Sequence, residues 1–487
     1  MERVSDTRVF DTRVQVLKYS VLKSLIRRAY EGKDKVALAP YEIPKEIVPG
    51  PKTDMRCCIY KARAVVEERV RMAMGGDESN PNIIECLPVA CDECPIASYY
   101  VTPACRGCIN HRCEEVCPAK AITIDGQAKI DQSKCLDCGK CAKVCPYKAI
   151  IEFTRPCVTS CKIGAIKIDE DKKAKIDNDK CVMCGACVYS CPFGAITDKS
   201  FVLDCVKILQ DAEKNGTKVY ALIAPAIVSQ FKYAKIEQIV EGIKMLGFHN
   251  VIETAMGADI TLHKELNELK EVDKLTTSCC PSFVMYIEKH FPKLKQYISH
   301  SPSPMVEAAK LIKRTSPDSK VVFIGPCSSK KYEYKLEKTG GAVDCVISFE
   351  ELQAFLDARD IDVSSLPESP LNNASFYGRI FAKSGGIAQG VAELKEKYGI
   401  TKEVCPIALN GLEEIKLAML KMNVGKLPEN FIEGMACVGG CLNGSLCLHH
   451  EEKNVRDVDK YGQQAKEKDI GGSVALYNMT LENEQNK

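Results

Sequence analysis

Two small cysteine-rich α+β units, a larger α/β domain behind them and a helical extension in front are the architecture this sequence predicts. Three observations predict it. Cysteines concentrate in runs of the form C-x2-C-x2-C-x3-C-P between residues 105 and 191. Near residue 205 the texture changes to apolar strands alternating with helices, as in KVYALIAPAI and KVVFIGP. Ahead of the cysteines, residues 1–85 carry helical patterning, with Val65, Val66, Val70 and Met72 spaced among Glu and Arg.

The chain has 487 residues, 45% hydrophobic and 27% charged, which is globular and long enough for roughly two to four domains with their own cores. A net charge of +2 gives no electrostatic footprint for nucleic acid. The 28 cysteines are the anomaly. Their spacing matches iron–sulfur ligation, and open thiolate sites require a reducing compartment. The N-terminus alternates charges with Val and Leu and lacks an apolar core before a small-residue cleavage site. The longest apolar stretch, Tyr220 to Val228, contains Pro225 and is too short to cross a bilayer. The expected location is cytoplasmic, without membrane.

The cysteine-rich part repeats internally. Four times a C-x3-C pair precedes a short hydrophobic run: Cys113 to Cys117 then PAKAI, Cys141 to Cys145 then PYKAI, Cys157 to Cys161 then KIGAI, and Cys187 to Cys191 then PFGAI. Two pairs make one bacterial ferredoxin-like 4Fe-4S unit, so two units in tandem are expected, at 86–150 and 151–200. The larger domain then occupies 201–475, and 476–487 reads as a frayed polar tail.

In such a run three cysteines hold one cubane and the fourth, before proline, ligates the other. The expected sets are Cys105, Cys108, Cys113 and Cys145; then Cys135, Cys138, Cys141 and Cys117; then Cys181, Cys184, Cys187 and Cys161. A fourth set begins with Cys157 and Cys191 and lacks two thiols. The nearest spare C-x2-C, Cys91 and Cys94, is proposed to complete it, leaving open that Cys57 and Cys58 serve instead or that nothing binds. The relay thus has three to four clusters.

Three further cysteine signatures lie in the larger domain: Thr277-Ser278-Cys279-Cys280-Pro281, Pro326-Cys327-x-x-Lys330-x-x-Glu333, and Glu433-x-Met435-Ala436-Cys437-x3-Cys441. In this order and spacing they resemble the active-site signatures of the iron-only hydrogenases, over roughly residues 57 to 475 and as a divergent, monomeric clostridial-type branch. The resemblance implies that Cys280, Cys327, Cys437 and Cys441 ligate an active-site 4Fe-4S cluster, with Cys441 also bridging to a diiron subsite carrying CO and CN. It implies that Lys330 donates to a cyanide, that Glu333 steadies Lys330, and that Met435, Ala224 and Pro225 line the diiron pocket. The resemblance further implies that Cys279, a thiol of ordinary pKa near 8.5, passes protons, with Glu265, Ser299 and Glu268 as its route to water. Periodicity alone fits Glu265 and Glu268 equally well to an amphipathic surface helix. The resemblance also implies that the Cys157 set is the cluster closest to the active site.

Several positions depart from the usual pattern: Gly325 for a methionine, Phe283 for a tryptophan, Met305 for a glutamine, and LNGSLC after Cys441. Seven cysteines have no assigned role: Cys57, Cys58, Cys86, Cys205, Cys345, Cys405 and Cys447. Isolated ones in apolar runs, such as Cys345, read as small core residues. The activity implied is reversible reduction of protons to H2, with electrons from a soluble ferredoxin or similar carrier and maturation proteins supplying the diiron subsite. No G-x-G-x-x-G fingerprint for a nicotinamide appears in a strand–helix context. The alternatives are an H2-sensing relative, a cluster-assembly factor or a plain electron carrier.

Overall fold

The computed structural model describes residues 10–94 and 99–485. Its first helix, Arg13–Glu31, starts at a capping box: Gln15 N–H donates to the Thr12 hydroxyl at 3.2 Å, and Thr12 N–H donates to the Gln15 side chain at 3.1 Å. Val21, Leu22, Leu25 and Ile26 are buried along one face, which packs on Phe349–Ala358 of the large domain. Lys33–Ile47 and Ile59–Ala73 complete a three-helix extension. A buried ionic cluster closes the seam. Lys331, with no solvent exposure, donates to Asp198 at 2.9 Å and Glu351 at 2.8 Å, and Lys18 from the first helix joins Asp198 and Glu350.

The two cysteine-rich units are nested. Strand Tyr99–Val101 pairs antiparallel with Ile150–Glu152 and encloses the hairpin Ile122–Asp125 and Gln127–Ile130, giving residues 99–152 a small core of their own around Tyr99, Ile122, Ala128 and Ile150. Strand Ile84–Cys86 pairs instead with Ile196–Asp198, enclosing the hairpin Ile166–Ile168 and Ala174–Ile176. Residues 84–94, grouped by their position in the chain with the first unit, therefore belong to the second, and the first is inserted within it.

In the large domain, parallel strands run in the order Asn250–Glu253, Val219–Ile223, Lys320–Gly325, Cys345–Ser348, and a second parallel sheet runs Leu275–Thr276, Phe431–Met435, Pro406–Asn410. Helices cover both sheets, as parallel strands require. The tail expected to fray from 476 instead continues the helix Gly471–Gln485. Ser473 donates to Asp259 at 2.7 Å, and the Tyr477 ring carries the cations of Lys264 and Arg314. Its anchoring is polar and aromatic, which composition alone reads as a loose end.

Candidate metal centre and proton path

Every segment of the catalytic signature leaves the C-terminal end of a parallel strand: Cys279 and Cys280 after Leu275–Thr276, Cys327 after Lys320–Gly325, Cys437 after Phe431–Met435, and Ala224-Pro225 after Val219–Ile223. Strand ends are where open parallel sheets place ligands. They converge on a cavity of about 90 Å³, lined by Cys280, Cys327, Cys437 and Cys441, with Cys279, Lys330, Met435, Ala224 and Pro225 also at its wall.

The four thiols share mutual electrostatic contact, and burial pushes Cys280, Cys437 and Cys441 up, Cys441 to about 12. Each of the four is half-buried and lines the cavity. Among the described residues, no group of three or more His, Cys, Asp or Glu side chains is close enough to hold a single metal ion. A cubane is wider than one ion, so a wider quartet of soft thiols around a void suits a cluster.

Lys330 Nζ donates to Glu333 Oε2 at 2.6 Å and to the Cys279 carbonyl at 3.1 Å, and Ser303 donates to the same Glu333 oxygen at 3.0 Å. Burial alone lowers the pKa of the ammonium; the Glu333 carboxylate outweighs it, and the net shift is upward. A fixed cation thus faces an otherwise apolar cavity.

The thiol of Cys279 contacts Thr277 Oγ1 at 3.9 Å. Its pKa does not stay at the ordinary value: burial, then the charges of Glu265, Cys280 and Glu433, raise it well above. Glu265 is fully buried, accepts from Ser278 N–H at 3.3 Å through one oxygen, and has no hydrogen-bond partner for Oε2 among the described residues. Desolvation raises its carboxyl to about 8. Ser299 Oγ donates to Glu268 Oε2 at 2.8 Å, and Glu268 Oε1 meets His300 Nδ1 at 2.6 Å, with the His300 side chain 88% exposed. The helix Thr254–Glu271 therefore carries one buried and one half-buried carboxyl a turn apart. His300 was not read from the sequence; it stands beside Ser299 but its partner comes from another element.

Glu433, quoted only as part of a signature, is also buried. It accepts from Gly385 and Ala388 N–H, both at 2.8 Å, at the start of helix Gly386–Leu394, and burial still lifts it to about 7. The departures from the usual pattern are absorbed by packing. A side chain at Gly325 would run into the Phe323 ring, which lines the cavity, and Phe283 lies against Gly434 where a Cβ would clash. Met305 also reaches the cavity wall.

The relay thiols gather as well. Cys105, Cys108, Cys113 and Cys145 line one small cavity of about 20 Å³; Cys117, Cys135, Cys138 and Cys141 line another of about 20 Å³. Cys161, Cys181, Cys184 and Cys187 are in mutual electrostatic contact. Cys157 contacts Cys191, Cys91 and Cys94 in the same way, whereas Cys57 and Cys58 are exposed. Hydrogen bonds to sulfur show the units superposing: Ala121, Ala149, Ala165 and Ala195 N–H each donate to the cysteine four residues earlier, at 3.2–3.3 Å. Ala128 N–H donates to Cys105 and Ala174 N–H to Cys91, both at 3.4 Å, so Cys91 stands in the second unit where Cys105 stands in the first.

One expectation is corrected. The relay group next to the active site is the Cys184 set, since Cys184 lines the catalytic cavity and contacts Cys280 and Cys437, while the Cys157 set lies behind it, against Cys187. The reason is the loop Met183-Cys184-Gly185, which packs into the catalytic loops: Ser328 Oγ donates to Met183 O at 2.7 Å, and a Cβ on Gly185 would overlap Ser445.

Fold and thiols together define an iron–sulfur redox protein of iron-hydrogenase-like build. Residues 217–445 match the family described as iron only hydrogenase large subunit, C-terminal domain; residues 104–149 match a 4Fe-4S dicluster domain and residues 134–194 a 4Fe-4S double cluster binding domain. The chain is similar to iron hydrogenase 1 of Clostridium pasteurianum, 29% identical over 399 residues that cover 70% of this chain and 68% of that protein. It is similar to the periplasmic Fe hydrogenase large subunit of Nitratidesulfovibrio vulgaris, 29% identical, covering 65% of this chain and 85% of that one. The cytosolic Fe-S cluster assembly factor narfl of Danio rerio is 26% identical, over 42% of this chain and 63% of its own length. Among solved structures, an FeFe-hydrogenase from Chlamydomonas reinhardtii is 21% identical with a TM-score of 0.46, over 57% of this chain and 93% of that one. No helix among the described residues is long and apolar enough to cross a membrane.

Proposed function

We propose that the chain is an iron-only hydrogenase that reduces protons to H2 reversibly, its electrons arriving from a ferredoxin-like carrier. The observation that carries this reading is a spare thiol, Cys279, at the wall of a cavity already lined by four ligand-grade thiols, with a buried carboxyl behind it and an exposed histidine at the far end. An electron carrier has no use for a buried proton path ending at a cavity.

Cys280, Cys327, Cys437 and Cys441 would hold the active-site 4Fe-4S cluster and, with it, a diiron subsite carrying CO and CN. When bound, that subsite supplies low-spin iron at which protons and electrons combine. Everything else is the work of this chain. Lys330 presents a positive charge to the cavity, and Glu333 and Ser303 hold it there. Met435, Ala224, Pro225 and Phe323 exclude water. Cys279 holds a proton on Sγ, because burial disfavours its thiolate. Glu265, neutral below about pH 8, is the next proton holder, and Ser299, Glu268 and His300 pass the proton to solvent. On the electron side, the order is the two sets of the inserted unit, then the Cys91, Cys94, Cys157 and Cys191 set, then the Cys184 set, then the active site. Free thiols at every step favour a reducing, cytoplasmic setting.

The similarity to assembly factors favours one second reading, a protein that carries cubanes and no diiron centre. The test that separates them is turnover with a reduced viologen dye after anaerobic maturation. H2 evolution is expected; none from protein carrying both its cubanes and the diiron subsite would end the hydrogenase reading.

A further inference from the structure

One of the two sites in the second cysteine-rich unit has a fifth thiol that the repeat does not call for. Cys86 pairs in register with Ile196, and the matching pair in the first unit is Val101 with Ile150. The next hydrogen bond matches too: Leu87 N–H donates to Ala195 O at 2.6 Å, and Thr102 N–H to Ala149 O at 2.8 Å. Cys86 and Val101 are therefore the same position in two copies of one fold. In the first unit this position is an apolar residue packed among Cys105, Cys145 and their neighbours. In the second it is a thiol within hydrogen-bonding reach of Cys91, with Cys191 and Cys157 the next nearest sulfurs.

A valine already fills the space in the twin unit, so packing does not require sulfur here. What cysteine adds is a soft donor one side-chain rotation from its neighbour's ligand position, at the end of a strand held by the backbone bond of Leu87 to Ala195. Cys91 itself follows a tight turn, its N–H donating to Pro88 O at 3.3 Å. Its sulfur also faces the Arg155 guanidinium at 3.9 Å and Ala174 N–H at 3.4 Å, the latter repeating the Ala128 bond to Cys105 in the first unit.

We propose that Cys86 is an alternative ligand of this relay site, able to take the place of Cys91 beside Cys94, Cys157 and Cys191. The exchange balances without a redox partner. The Cys86 proton moves along its hydrogen bond to the departing Cys91 sulfur, one iron–sulfur bond breaks and one forms, and no electron is gained or lost. The inference rests on reading this quartet as a cluster site.

Iron and sulfide content, with electron paramagnetic resonance of the reduced chain, tests it on the full-length protein reconstituted anaerobically. Wild type and Cys86→Ala are expected to hold equal iron. Cys91→Ala keeps that iron with an altered resonance, whereas Cys86→Ala/Cys91→Ala loses about four irons, one cubane. Cys86 faces Cys91, Cys191 and Cys157, so the control is the remaining ligand, and Cys94→Ala loses the same. A Cys91→Ala chain as poor in iron as the double variant overturns the proposal, as does a Cys94→Ala chain that keeps its cluster. Wild type no richer than both Cys94→Ala and the double variant removes the quartet itself. The transplant is independent of how the second unit folds: Cys105→Ala empties the first unit's site, and Val101→Cys/Cys105→Ala refills it. Failure to refill in a chain whose other clusters are intact counts against the exchange.

Discussion

In the inserted unit, Cys138 is exposed and Cys105, Cys108 and Cys135 are half-buried, with Ile109 and Leu136 standing out from the loops beside them. Around the catalytic cavity burial acts on the thiols more strongly, and Cys279 and Cys437 are driven well above an ordinary thiol. The residue type is the same, and surroundings divide the labour. On the proposed function, half-exposed ligands would allow electrons to cross to a partner, since transfer needs proximity and no path for protons. Buried ligands with one fixed cation and one carboxyl route would allow protons to be metered singly. The low dielectric that makes Cys279 hold its proton is also what makes its neighbours' charges effective.

The sharpest way to break this contrast is to remove the inner proton donor. Cys279→Ala should cut turnover by at least about 100-fold while iron content is unchanged, since a positioned proton donor is worth about 10²–10⁴. Turnover equal to wild type would move the proton path elsewhere.

Glu265→Gln comes next, with a loss of about 10–100-fold. The pH dependence has a defined sign. The folded carboxyl lies above its ordinary value, so it is protonated below about pH 8 and ionises as the pH rises through 8. Proton delivery and this group's contribution to stability both fall in that direction. A pH–rate profile of wild type should bend near 8, and the bend should vanish in Glu265→Gln; a bend that survives belongs to another group.

A third probe addresses the seam that holds the two regions together. Lys331→Met leaves the Glu351 and Asp198 carboxylates buried with one cation fewer, an expected cost of about 3 kcal/mol, read as a lower Tm in denaturation. Turnover per loaded enzyme at low temperature should change little.

The smallest effect is expected at the outside. Cys138→Ala should slow turnover driven by a protein carrier, yet leave dye-driven turnover within about twofold, because a small dye reaches inner clusters directly. Equal slowing with both donors would mean that the inserted unit shapes the active site.

The gathering of the thiols was largely legible because each group is mostly local: three or four thiols within a dozen residues, or one loop after one strand. Cys280, Cys327, Cys437 and Cys441 needed only their flanking residues to be recognised, although their meeting at one cavity depends on two parallel sheets. The pairing of Cys91 and Cys94 with Cys157 and Cys191 was legible by elimination, but its cause was not. An insertion inside a repeat looks, along the chain, like two repeats in a row. For the same reason the Cys184 set was misplaced, because its nearness to the active site comes from Gly185 fitting under Ser445, far away in sequence. Glu265 was ambiguous on its helix, since Leu262, Leu266 and Leu269 are buried whether or not the carboxyls beside them are. Its full burial and unpartnered oxygen exclude a solvated surface position and support the proposed relay, and only tertiary structure reveals them.

The most direct test of the central claim is an infrared spectrum of anaerobically matured protein before and after exposure to H2. The account predicts bands of iron-bound CO and CN that shift under H2. Protein that has met the maturation machinery and holds all its cubanes, yet shows no such bands, would contradict it.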